Sequence, residues 1–274
     1  MLRTEEKYMS DKMKKEARVL RQDIIADGIY DMLLQTPIAE NVVPGQFVGV
    51  YPANKTTLLP RPISICGVDK ENSAIRLVYR VVGSGTAEFA LYQPDDYIMI
   101  LGPLGNGFPL KEAAGKRAVL IGGGIGVPPL LETAKRLSLA EGADKPVSVT
   151  TVMGYRNAET FLSDEFSKYS MLHIATEDGS VGTKGNVIDA MKADNIGCDV
   201  IFACGPIPML KGLKAYAKEI GAKAYLSLEE RMACGVGACL GCVVKTKEID
   251  HHSHVNNARI CTDGPVFDAE GLDI

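Results

Sequence analysis

The run RAVLIGGGIGVPPLLETAKRL, residues 117–137, decides how the chain folds. Its opening, RAVLIGG, reads as a short buried-type strand ending in glycines. Its second half shows helical spacing, and the paired Pro128 and Pro129 suit a first turn, where no amide donor is needed. Downstream the alternation repeats. VSVTTVMGY (147–155), MLHIATED (171–178) and CDVIFACGP (198–206) read as strands, while GNVIDAMKA (185–193) and IPMLKGLKAYAKEIG (207–221) read as helices. Gly221 falls where a C-cap belongs. Strands alternating with helices predict parallel βαβ units, so residues 113–225 are expected to form an α/β domain of the nucleotide-binding type.

Upstream of residue 113 the pattern differs. Short apolar runs recur at 18–25, 28–34, 46–51, 63–68, 74–81 and 96–101, with Pro or Gly between many of them. This spacing predicts a small antiparallel barrel or sandwich over residues 15–112. Residues 1–14 are charged and read as a solvated, flexible extension, with Met9 or Met13 as alternative natural starts. Residues 226–274 are too few for an independent hydrophobic core and need a metal or a neighbour to hold their shape.

Composition narrows the function classes. The 274 residues carry 30 Lys+Arg against 34 Asp+Glu, a formal net charge of −4, which argues against a surface built to neutralise nucleic-acid phosphates. The longest apolar run, residues 119–131, contains four Gly and two Pro and falls short of the ~20 residues a membrane span needs. The charged N-terminus has no apolar signal core, so a cytoplasmic location is expected. Seven Cys in such a compartment make a poor disulfide framework.

Four of those Cys crowd into the tail with the spacing Cys234-x4-Cys239-x2-Cys242-x18-Cys261. That order is the plant-type spacing for a [2Fe–2S] cluster. Four thiolates must converge on two irons while backbone wraps closely around the sulfides. Gly235, Gly237 and Gly241 are expected to take positive φ there and aim N–H groups at sulfur. A structural zinc site is the competing reading, but zinc ribbons favour paired C-x2-C knuckles and only one such pair exists. His251, His252 and His254 read as a solvated loop rather than as ligands, because Cys already supply four.

Two further constellations carry chemistry. Arg61-Pro62-Ile63-Ser64 opens a barrel strand, followed by Val78-Tyr79-Arg80 and by Gly83-Ser84-Gly85-Thr86. An Arg can fork onto a pyrophosphate, a Ser hydroxyl can bond an isoalloxazine ring, a Tyr can pack on an adenine or flavin face, and a Gly-Thr turn at a helix start can present amides to phosphate. Gly122-Gly123-Gly124-Ile125-Gly126 follows the first strand of the α/β domain. It is not a GxGxxG fingerprint, but it allows close backbone approach where α/β sheets bind ligands. Cys204-Gly205-Pro206 ends a later strand at the same sheet edge, where a thiol could lie against a nicotinamide ring or simply be buried. Cys66 and Cys198 read as packing residues.

In the order RPxS, Gly-rich turn, CGP, the chain resembles the ferredoxin–NADP⁺ reductase superfamily. RPISIC, LVYRVVGSGT, LGPLGNGFPL, FACGPIPMLK and above all LSLEERMACGVGACLGC with ICTDGPVF are more specific, and resemble the electron-transfer subunits of dihydroorotate dehydrogenase B. The resemblance implies an antiparallel FAD-binding β-barrel, then a parallel-sheet NAD-binding domain, then a small C-terminal [2Fe–2S] subdomain. It implies FAD contacts from Arg61 to Ser64, Val78 to Arg80, and Gly85 with Thr86. Cys234, Cys239, Cys242 and Cys261 become the cluster ligands. NAD is expected along Gly122, Gly123, Gly124, Gly126, Cys204, Gly205 and Pro206, with Ser64 and Cys204 nearest the chemistry. In the family, a separate FMN-bearing (β/α)₈ subunit oxidises dihydroorotate to orotate, electrons pass through the cluster to FAD, and NAD⁺ takes a hydride; two subunits of each kind form a heterotetramer. A related reductase serving a ferredoxin, a sulfur compound or an oxygenase is the alternative. The preference for NAD over NADP rests on the resemblance alone.

Overall fold

The computed structural model describes residues 13–54, 56–249 and 254–274. Most of the expected N-terminal extension, together with His251 and His252, lies outside the described residues.

Six strands close into a barrel: β1 (Met13–Ala26), β2 (Ile29–Gln35), β3 (Phe47–Tyr51), β4 (Arg61–Asp69), β5 (Ala74–Arg80) and β6 (Tyr97–Leu104), in the order β1-β2-β5-β4-β3-β6. All the neighbouring pairs are antiparallel. Closure removes the open edges that a small sheet would otherwise expose. Its interior is filled by aliphatic side chains, with Val19, Leu34, Val48, Ile75 and Ile100 at or below 1% exposure. Ordering starts earlier than the sequence suggests. Met13 and Lys14, expected in the loose extension, already pair with Gly102 and Leu101 of β6. A short helix, α1 (Ser84–Phe89), follows β5 and drives Phe89 into the barrel core.

The second layer is a seven-stranded sheet in the order β10-β9-β8-β7-β11-β12-β15. Its strands are β7 (Arg117–Gly123), β8 (Ser148–Tyr155), β9 (Met171–Thr176), β10 (Thr183–Lys184), β11 (Val200–Cys204), β12 (Lys223–Ser227) and β15 (Val266–Asp268). The first six run parallel. β7 is central and buried from Ala118 to Gly123, which accounts for its unbroken apolar sequence. Crossover helices include α2 (Pro129–Ser138), α3 (Ser163–Phe166), α4 (Val187–Ala193) and α5 (Ile207–Ile220). Pro128 and Pro129 stand at the N-cap and first position of α2, and Gly221 caps α5 with φ 71°.

The Cys-rich tail is not a free-standing appendage. β15 adds to the sheet antiparallel to β12, pairing Leu226 with Phe267. A two-stranded sheet, β13 (Val243–Lys245) with β14 (Asn257–Arg259), completes it. Ile260, Cys261, Ala269 and Leu272 share a core with Val119, Ile201 and Leu226 of the large sheet. The neighbour that the tail needs is therefore the α/β layer itself. Among the described residues, no helix is long and apolar enough to cross a membrane.

Candidate functional site

Barrel, sheet and tail surround one cavity of about 1200 Å³. It opens at the carboxyl ends of β7, β8 and β11, where parallel sheets place ligands. The barrel supplies Pro62 and Ser64 from β4 and Arg80 from the end of β5. The sheet supplies Gly123, Gly124 and Gly126 after β7, and Cys204, Gly205 and Pro206 after β11. The tail supplies Ile260, next to Cys261, and Pro265. Three segments far apart in sequence thus meet at one volume.

The remaining expected residues divide. Arg61 and Gly85 lie together beyond the cavity wall: a Cβ on Gly85 would sit 2.6 Å from Arg61 Nε, so the guanidinium is laid across the start of α1. Neither Arg61 nor Arg80 has a carboxylate partner among the described residues, which leaves two cations for an anionic ligand. Ile63 is half-buried against the barrel core, and Val78 is buried in the layer between barrel and sheet. Gly122 is packed under Met153 and Val127 and does not reach the cavity.

One expectation is corrected. The Tyr79 ring does not face a ligand. It is 2% exposed, stacks on Tyr30 at 5.7 Å, and donates its hydroxyl to Gln22 Oε1 at 2.9 Å. Strand alternation turns it into the barrel, so Tyr79 can offer a ligand only its backbone. The Thr86 hydroxyl is likewise engaged, accepting from the amides of Val82 and Gly83 and donating to the Gly83 carbonyl. It closes the first turn of α1, so the contact expected of this turn is one of backbone amides and not of the hydroxyl.

The glycines of the β7–α2 turn have different reasons. A Cβ on Gly126 would lie 2.4 Å from the Cys204 carbonyl oxygen and 2.6 Å from Gly205 Cα. Gly126 is therefore fixed by contact with the CGP turn. Gly124 has φ +54° and nothing within 4 Å of an added Cβ, so it is the one open to a ligand. Across β11 and β12, Cys204 is in register with Ser227. Burial pushes the Cys204 thiol up to about 12, only partly offset by the Ser227 hydrogen bond. It is an uncharged contact surface, not a nucleophile.

In the tail, Cys234 has Cys239 as a near neighbour and Cys261 has Cys242, with Cys234 and Cys261 also within electrostatic reach of each other. Among the described residues, no three Cys, His, Asp or Glu side chains converge as ligands of a single ion. The amides of Val236 and Ala238 donate to Cys234 Sγ at 3.4 and 3.3 Å. Burial would raise that thiol, but the amides and Cys239 overcome it and bring it down to about 6. Burial and Cys242 push Cys261 up to about 12. A loop that turns amides onto sulfur fits a thiolate cluster. Gly235 and Gly237 take φ 69° and 83° as expected, but Gly241 does not; Leu240, at φ 54°, makes that turn instead. Cys239 is exposed, whereas Cys242 and Cys261 are buried. His254 is exposed.

Sequence reasoning missed part of the cavity. Glu229, Glu230 and Arg231, from the LEER run before the first tail Cys, line it, as do Tyr155, Arg156 and Glu177 at the ends of β8 and β9. The position after β8 is a usual nucleotide-ribose contact, which could have pointed to Arg156. Nothing in the sequence alone marks the LEER run as a wall.

A six-stranded barrel, a parallel nucleotide-type sheet and a four-thiol tail around one cavity define a reductase of the ferredoxin–NADP⁺ reductase class. Comparison with known proteins narrows this. The family described as the iron-sulfur cluster binding domain of dihydroorotate dehydrogenase B matches residues 229–273. The dihydroorotate dehydrogenase B (NAD(+)) electron transfer subunit of Listeria welshimeri is 44% identical over 264 residues, 96% of this chain and 100% of that one. Its counterpart in Bacillus caldolyticus is 44% identical over 255 residues, 92% and 95% of the two chains. A solved structure of an NADH-dependent reduced ferredoxin-NADP oxidoreductase superposes with a TM-score of 0.81 at 31% identity, covering 94% of this chain and 89% of that one. The chain belongs to the family of dihydroorotate dehydrogenase B (NAD(+)) electron transfer subunits.

Proposed function

We propose that this chain is the electron-transfer half of an NAD⁺-linked dihydroorotate dehydrogenase, a cytoplasmic enzyme whose other half oxidises dihydroorotate to orotate. The observation that carries the reading is the single cavity walled by Ser64 and Arg80, by Gly124 and Cys204, and by the neighbour of Cys261. When bound, FAD and a [2Fe–2S] cluster would supply the exchange between electrons carried singly and the pair that a nicotinamide nucleotide needs.

The chain's own residues bind, orient and exclude water. Arg61 and Arg80 hold the flavin diphosphate by charge, aided by the backbone of Val78 and Tyr79, by Pro62 and Ile63, and by the amides of Gly85 and Thr86. Ser64, which lines the cavity, would offer its hydroxyl to the flavin ring. Gly123, Gly124 and Gly126, with Gly122 packed beneath, let the nucleotide approach the sheet. Cys204, Gly205 and Pro206 form a neutral surface for the nicotinamide ring, which aligns it without competing for electrons. Cys234 with Cys239, and Cys242 with Cys261, are the cluster ligands. No general base is required of the protein on this leg. The domains are 15–112 for flavin, 113–225 for nicotinamide and 226–274 for the cluster. The partner is an FMN-bearing (β/α)₈ subunit of about 250 residues, two of each forming a heterotetramer.

Co-purification with such a partner tests this directly. The complex should reduce NAD⁺ with dihydroorotate, while the chain alone should oxidise NADH with ferricyanide and leave dihydroorotate untouched. Dihydroorotate turnover by the chain alone would sink the division of labour. The structural match to a ferredoxin-linked oxidoreductase supports a second reading, in which the one-electron partner is a ferredoxin. A complex that fails with dihydroorotate but exchanges electrons with reduced ferredoxin would establish it.

A further inference from the structure

LGPLGNGFPL, residues 101–110, contributes nothing to the cavity lining, yet the tail is seated on it. Asn106 addresses three consecutive carbonyls. Its backbone N–H donates to Gly264 O at 2.6 Å, and its side-chain Nδ2 donates to Thr262 O at 3.2 Å and Asp263 O at 3.0 Å. Those three residues directly follow Cys261. Asn106 also forms a parallel bridge with Pro265. Its neighbour Gly105 is in such close contact that an added Cβ would lie 2.4 Å from Pro265 Cδ and 2.7 Å from Gly264 O. Gln46 holds the loop from the barrel side, donating Nε2 to Gly105 O at 2.8 Å. The other cluster segment lands on the same stretch: a Cβ on Gly235, next to Cys234, would lie 3.2 Å from Leu104 Cδ1 and 3.9 Å from Leu101 Cδ2.

We propose that Asn106 is a positioning residue that clasps the cluster-bearing tail to the flavin-side barrel and so sets the separation between the thiol pairs and the cavity. The proposal rests on the flavin and cluster reading above. The chemistry is specific to asparagine. A side-chain amide offers two N–H donors at the right length, and the two carbonyls of Thr262 and Asp263 that accept from Nδ2 fix which way it points. An aspartate of the same shape would set a carboxylate against those carbonyls. The clasp is separable from folding, because β15 still ties the tail to β12 on the other side. Without the Asn106 side chain the tail keeps its sheet attachment and the backbone bond to Gly264 but loses both ties to the carbonyls of Thr262 and Asp263, so its seat on the barrel loosens, and the distance this affects is the one electrons must cross.

The test uses the full chain loaded with FAD and iron and sulfide, as Asn106→Ala and Asn106→Asp. Amide hydrogen exchange across residues 259–268 should rise about tenfold in Asn106→Ala, with β7 and β11 unchanged. Iron, sulfide and FAD contents and the cluster midpoint potential should match the parent. On anaerobic mixing with NADH, which yields NAD⁺, a proton and two electrons, flavin bleaching should keep its rate. Cluster bleaching, one electron per cluster, should slow by about tenfold, in line with the cost of a sub-ångström to ångström misplacement. Asn106→Asp should be at least as slow as Asn106→Ala. Parent-like exchange, parent-like cluster bleaching, an Asp variant faster than the Ala variant, or a variant that loses its cluster while keeping FAD would each overturn the positioning role. A parent chain that binds neither iron nor flavin would instead fail the functional reading, and the exchange measurement would still decide whether the clasp exists.

Discussion

Gly124 and Gly126 are two residues apart in one turn, and their replacement should have opposite signatures. Gly126→Ala places a Cβ 2.4 Å from the Cys204 carbonyl oxygen, 2.5 Å from its carbonyl carbon and 2.6 Å from Gly205 Cα. All three are backbone atoms, so no side chain can swing aside and the β7 and β11 turns must part. Overpacking of this kind costs about 3 kcal/mol, the upper part of the usual range, because the obstruction is rigid. At about 2–4 °C per kcal/mol, the scale for chains somewhat shorter than this one, the ligand-free melting midpoint should fall by about 6–12 °C. Gly124 has the reverse situation, with φ +54° and open space at its Cβ position. Asparagine tolerates that backbone, so Gly124→Asn should keep the ligand-free midpoint within about 1–2 °C. Its side chain then stands in the cavity, and nucleotide affinity should drop. The assays are calorimetry or denaturant unfolding without ligand, and NADH titration of the FAD-loaded chain. A Gly126→Ala chain as stable as the parent would refute the packing argument, and a Gly124→Asn chain that binds NADH normally would refute the ligand role of Gly124.

Four shorter predictions follow from other parts of the fold. Ser64→Ala should retain FAD but slow flavin bleaching by NADH about tenfold, the worth of one hydrogen bond to the reacting group; an unchanged rate would remove Ser64 from the chemistry. Cys234→Ser should abolish the cluster's visible absorption and leave FAD in the barrel, read by iron, sulfide and flavin analysis. Arg76 grips Asp31 on β2 with two hydrogen bonds at 2.9 Å and Glu165 on α3 at 2.6 and 2.8 Å. Arg76→Leu should cost about 3 kcal/mol, the low end for breaking a buried pair, because Arg21 still partners Asp31; a parent-like urea midpoint would contradict this. Hydrogen bonds from Arg117 hold the Asp199 carboxyl at about 2, below its unfolded value near 3.9. The stabilisation is therefore complete above pH ~4 and lost as pH falls toward 2, and Asp199→Asn should flatten that arm of the stability curve.

The barrel and sheet are legible because each layer has a period the other lacks. Six apolar runs with turn residues between them map onto β1 to β6, and the strand–helix alternation from Arg117 onward maps onto the parallel sheet. Local signals also place Pro128 and Pro129 at the start of α2 and Gly221 at the end of α5. The four tail Cys are legible because thiolate spacing is a covalent constraint that tertiary context cannot disguise. Side-chain direction is less so. Tyr79 and Arg80 are adjacent in β5, and which of them meets a ligand depends on strand register, which sends Tyr79 inward and leaves Arg80 at the cavity.

What the sequence conceals most is the attachment of the tail. The motif after β6 and the segment after Cys261 are separated by more than 150 residues, and no local pattern announces that Asn106 will capture the carbonyls of Thr262, Asp263 and Gly264. Backbone carbonyls carry no side-chain signature, so a partner that recognises them leaves no trace in the recognised stretch. The glycine pattern fails for a related reason: Gly241 is expected to turn the loop, yet Leu240 takes the positive φ. An exposed leucine held in that conformation beside Cys239 costs more than glycine would, about 1–2 kcal/mol for the backbone alone. The loop's shape is therefore set by its thiols and by its seat on the barrel, not by the local preference of the residue that turns.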